Sequence, residues 1–101
     1  MGDELKKAYI EKLEAKLREW TAEFDKLKEK VESSEAKIKE EYNKKIEDLH
    51  LRREDIRERI NNLKQASGEA WEEIKFGTED AWDEMKIAID KAVSKFRHKT
   101  D

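Results

Sequence analysis

Residues 30–38 read KVESSEAKI, and whether the backbone turns or runs straight through Ser33-Ser34 decides the architecture of the whole chain. Upstream, apolar residues fall at steps of three and four: Ile10, Leu13, Leu17, Trp20, Phe24, Leu27, Val31. Nearly everything between them is charged or Ala, which is the pattern of a heptad seam on a helix. Downstream the stripe resumes as Ile38, Tyr42, Ile46 and Leu49, a local stutter in the heptad. Arg53 then takes a seam position before Ile56, Ile60 and Leu63 complete the run.

If the serines turn, three helices of similar length make a monomeric, spectrin-like three-helix bundle. If they do not, residues 3–66 form one helix of about 95 Å whose halves pair with a second copy running antiparallel. The chain has no Pro, and no Gly, Asn or Asp stands between Asp25 and Asn43. Turn chemistry is missing, so the sequence favours the continuous helix 3–66 and an antiparallel homodimer. The bundle with a turn near 33–35 is the alternative. Both are all-α and treat residues 1–101 as a single helical domain.

A second junction is clearer. Ala66-Ser67-Gly68-Glu69 offers Ser67 as an N-cap and Gly68 as a left-handed helix end. The helix expected over 69–98 starts among Glu69, Glu72 and Glu73 and ends among Lys91, Lys95, Arg97 and Lys99, which suits the helix dipole at both ends.

That last helix repeats itself. EAWEEIKFGTE (69–79), DAWDEMKIAID (80–90) and KAVSKFRHKTD (91–101) align without a gap. An eleven-residue period gives about 3.67 residues per turn, so equivalent positions stay on one face with little drift. Trp71, Trp82 and Val93 share one position, and Ile74, Met85 and Phe96 another; with Ile89 they form a straight apolar ribbon. Such a ribbon fits either the protein's own heptad stripe or a lipid surface. Interfacial helices usually carry Lys and Arg on their polar face. Residues 69–84 instead carry seven acids against Lys75 alone, which favours the core. Phe76 and Ile87 lie eleven apart on the opposite side, a second weak stripe and a possible contact for another chain.

Composition removes several function classes. Charged residues make up 49% of the 101, yet the net charge is only −3, and no sustained basic patch exists for a phosphate backbone. The Arg-rich LRREDIRERI (51–60) interleaves its arginines with acids, as a salt-bridged helix surface does. Without cysteine there is no disulfide, thiolate nucleophile or thiolate metal site. No long apolar run marks a signal peptide or membrane span, and a soluble cytoplasmic protein is expected. Glu47 and His50 match the Glu-x-x-His spacing of di-iron bundles, but the 10–31 seam holds no Glu to complete a site. Carboxylates are plentiful, all on expected solvent faces, so neither a catalytic residue, a metal nor a cofactor is expected.

ASGEAWEEIKFGTEDAWDEMKIAIDKAVSKF, preceded by KKAYIEKLEAKLREWTAEFDKLKEK and EEYNKKIEDLHLRREDI, resembles a family of small bacterial coiled-coil, stress-response-associated proteins, sometimes described as apolipoprotein-like. The most specific parts are the Ser-Gly-Glu-Ala-Trp junction and the second Trp eleven residues on. The resemblance implies a non-enzymatic bacterial protein tied to stress, with no catalytic residue to carry over. The expected function is structural or interactive, through a protein client. Reversible binding to a membrane surface through the 69–98 helix is the alternative.

Overall fold

In a computed structural model, which describes residues 2–100, the chain forms three long helices joined by two short junctions: α1 (Gly2–Glu32), α2 (Ala36–Gln65) and α3 (Gly68–Thr100). Met1 and Asp101, the ends of the expected domain and of the third repeat copy, lie outside the described residues. The helices run up, down and up in a rod of 53 × 18 × 16 Å. α2 packs closely on both neighbours, whereas α1 and α3 approach each other chiefly through long side chains.

The expected continuous helix over 3–66 is therefore corrected: the backbone leaves the helix at 33–35, and the all-α three-helix alternative is the fold seen. Burial is the reason. Within one chain the stripes of α1 and α2 can cover each other only if the chain folds back. Doing so buries Ile10, Leu13, Leu17, Trp20, Phe24, Leu27 and Val31 against Tyr42, Leu49, Ile56, Ile60 and Leu63. Each such side chain contributes about 1.5–3 kcal/mol. Each helical hydrogen bond given up at a bend costs only about 0.5–1.5 kcal/mol. The seam outweighs the turn several times over.

The serines soften the bend further. Ser33 N–H still donates to the Glu29 carbonyl (3.0 Å), while Ser34 N–H slips to the Val31 carbonyl (3.1 Å). That leaves the Lys30 carbonyl without its usual donor, and Ser34 Oγ takes the place at 2.7 Å. Glu35 (φ −57°, ψ 152°) begins α2 with no side-chain cap.

At the second junction Ala66 ends α2 in an extended conformation, and the Ser67 carbonyl accepts the first α3 bond, from Trp71 N–H at 2.9 Å. Ser67 thus holds the N-cap position expected of it. Gly68 corrects a second expectation: its φ is not positive, and it opens α3 rather than closing α2 in a left-handed cap. The sharp exit is made by Ala66 at ψ 139°, a region open to any residue.

Candidate interaction surface

Where the eleven-residue ribbon points decides what the molecule can offer a partner. Met85 and Ile89 are completely covered, and Trp71, Ala92 and Phe96 nearly so; Ile74, Trp82 and Val93 are half-buried at the margins of the same seam. The ribbon is the third wall of the core. Trp71 meets Tyr9 of α1 edge-on (centroids 5.9 Å), and Phe96 meets Tyr42 of α2 edge-on (5.4 Å). Trp20 stacks on Phe24, and its indole N–H donates to the Met85 carbonyl at 3.3 Å, pinning α1 to the middle of α3.

Thr78 is also completely buried, a core member the spacing argument passed over. Its hydroxyl donates to the Ile74 carbonyl at 2.8 Å, so the polar group enters the core satisfied. The signal was available, since Thr78 holds the repeat position that Ile89 holds one copy later.

Polar groups at the rim tie the helices together. Tyr9 Oη donates to Glu79 Oε1 (2.9 Å), with Lys75 over the Tyr9 ring and Lys6 over Trp71. Partial burial first, and then the hydrogen bond and negative charge of Glu79, raise the Tyr9 phenol well above its ordinary range. Lys64 pairs with Glu14 between α2 and α1, and Lys99 with Glu41 between α3 and α2. The Lys99 hydrogen bond holds the Glu41 carboxyl below its usual value.

Glu47 and His50, the Glu-x-x-His match, are both exposed, and His50 Nδ1 lies 3.1 Å from Arg53 Nη2. Among the described residues no cluster of His, Asp or Glu side chains could hold a metal ion. One surface depression, about 1000 Å³, is an open furrow between α1 and α2 floored by Leu17 and Ile60 and edged by charges of both signs. Between α1 and α3, Tyr9, Leu13 and Trp82 floor a smaller cleft of about 290 Å³ rimmed by Lys12, Lys16, Glu79 and Asp83. Both lie open at the surface, with charges of both signs side by side.

The outer face of α3 is different. Phe76 is 66% exposed and Ile87 55%, and at about 1.5 Å per residue they stand roughly 16 Å apart along one line. Exposed Glu72, Glu73, Asp80 and Asp83 surround them and have no ion-pair partner among the described residues; Glu84 reaches Arg52 only at 4.0 Å. Phe76 and Ile87 thus lie on the side of α3 away from the covered Met85, Ile89 and Phe96, while Ile74, Trp82 and Val93 stand at the margin between. The chain matches no family model, no curated protein and no solved structure. No helix among the described residues is long and apolar enough to cross a membrane.

Proposed function

We propose that this chain is a non-enzymatic structural and interaction protein: a helical rod that offers the outer face of α3 to a protein client. One observation carries the reading. The tryptophan-bearing face of the repeat is already spent on the protein's own core, while Phe76 and Ile87 remain outside on a face where Glu72, Glu73, Asp80 and Asp83 have no ion-pair partner among the described residues. The repeat holds the two in register on one face, a short apolar line along which a partner helix can dock. The clefts being open at the surface, with charges of both signs at their rims, supports a role without catalysis. The resemblance read from the sequence supplies the setting, protection of a bacterial cytoplasm under stress.

Tryptophan emission tests the reading against lipid binding. Trp20 and Trp71 are buried and Trp82 half-buried, so emission should be blue in buffer. It should stay unmoved by neutral or anionic vesicles. Red emission that shifts blue on vesicles would mean that the ribbon leaves the core for lipid, and the client reading would fall.

A further inference from the structure

We propose that the α2–α3 groove that holds α1 is also the binding site for the α1 of a second copy, the chain opening at Ser33–Glu35 so that two molecules exchange their first helices. The closed bundle is the single-chain state, and the exchanged dimer is a second state built from the same contacts. This inference is independent of which surface meets a client.

Three observations point to it. The first is register. Val31, the last buried residue of α1, and Ile38, the first apolar residue of α2, stand seven residues apart, one heptad. If α1 and α2 were joined by helix, Ile38 would continue the stripe of Val31 one heptad on, and the stutter at 38–49 would then carry it into the α2 seam. A connection that served only as a hairpin turn has no reason to keep that spacing.

The second is the turn itself. It contains no Gly or Pro, and no residue of the described chain has a positive φ. Helical hydrogen bonding continues to Ser33 N–H and begins again with Lys39 N–H to the Glu35 carbonyl (3.0 Å). Glu35 has a φ of −57°, already close to helical, so its contribution to straightening is mainly a rotation of ψ from 152°. Ser33 and Glu35 are exposed and Ser34 only partly covered, so the bend contributes no side chain of its own to the core.

The third is contrast. The other junction carries Gly68, which weakens a helix run through it, and the extended Ala66. Only one of the two junctions is written to straighten. Opened there, residues 2–65 make a helix of about 95 Å. The Tyr9–Trp71, Trp20–Met85 and Glu14–Lys64 contacts then form between copies rather than within one. The closed form wins at low concentration because its α1 is tethered, and the open form gains with concentration.

The chain has no cysteine, so a pair introduced at Glu14→Cys and Lys64→Cys, whose native side chains meet at 3.2 Å, can be linked by a short bismaleimide without background. The protein would be denatured, refolded at micromolar and at millimolar concentration, linked, and run under denaturing conditions. Single chains of 12.1 kDa with internal links are expected at the low concentration, and linked pairs of twice that mass at the high one. Ser33→Ala/Ser34→Ala, which removes the Ser34 Oγ–Lys30 bond and favours helix, should raise the linked-pair fraction several-fold. A Gly-Ser-Gly insertion after Ser34 should abolish it. Internal links alone at every concentration, in the parent pair and in the alanine variant, would overturn the proposal. So would dimers by light scattering whose links all remain internal, since those copies associate without exchange.

Discussion

Arg53 occupies a seam position between Leu49 and Ile56, where its neighbours along the stripe are apolar or aromatic. Its side chain is only 15% exposed, and Nε is buried without a hydrogen-bond partner among the described residues. The guanidinium lies 5.4 Å from the Phe24 ring and reaches outward to His50, so the stem packs in the core while the tip finds the rim. Tyr42 makes the complementary compromise: fully buried, its ring held by Phe96 and Lys45, but its hydroxyl without a partner among the described residues and its phenol pushed up by burial. A buried unpaired hydroxyl costs about 1–3 kcal/mol. Tyr42→Phe should therefore leave stability unchanged or raise it by up to about 1 kcal/mol, read as the urea midpoint; a clear loss would reveal a partner for that oxygen. Burial also separates two residues that look alike in the sequence. Ile89 is completely covered, so Ile89→Ala should cost about 2–5 kcal/mol. Ile87, more than half exposed, should change by no more than about 0.5 kcal/mol on the same substitution. Equal losses at both sites in denaturant titrations would mean that the outer face is covered in solution.

At the scale of the helices, what the sequence made legible was periodic and what it hid was relational. All seven apolar positions of the 10–31 stripe are buried, and the repeat sorted Met85, Ile89 and Phe96 from Phe76 and Ile87 correctly. Each of those readings needs only a residue's own spacing. The turn at 33–35 could not be read the same way, because nothing local breaks the helix there. Its cause is the mutual burial of two stripes far apart in sequence, and the Ser34 side-chain bond that eases the bend exists only once the bend is made. Gly68 misled for the opposite reason, since a residue permitted a left-handed cap need not adopt one. Its helical placement makes a clean prediction. A Cβ there would meet nothing within 4 Å, so Gly68→Ala should stabilise by about 0.4–1 kcal/mol through the unfolded chain. Gly77→Ala should gain less: its Cβ would come 3.1 Å from Arg59 Nη1, and that side chain is held by Asp55 at 2.9 Å. Thermal or urea melts of the two variants side by side would check the order.

Across the whole molecule, the α1–α3 contact is the thinnest of the three and depends most on polar rim groups, Tyr9 foremost. That gives stability a pH dependence on the alkaline side. The phenol has an ordinary value of 10.0 in an unfolded chain, and the folded value is raised by burial and by donation to Glu79. Above pH 10 the unfolded chain gives up this proton while the folded one keeps it. The contribution is therefore complete below the unfolded value and is lost as pH rises towards the folded one. Tyr9→Phe keeps the ring against Trp71 and removes the titrating group. The variant's urea midpoint should consequently fall less than the parent's between about pH 8 and about pH 11, the Tyr42 phenol being common to both. Glu41 works in the other direction: held low by Lys99, it contributes above the usual 4.5 and is lost as acid protonates it. The two bonds sit towards opposite ends of the rod, Tyr9 and Glu79 near the start of α3 and Lys99 at its finish. Alkali should therefore loosen α1 from α3 first, and acid should loosen α2 from the end of α3. Amide exchange measured at both extremes would separate the two. Uniform exchange across all three helices at high pH would mean that Tyr9 is not the group that holds the first helix in place.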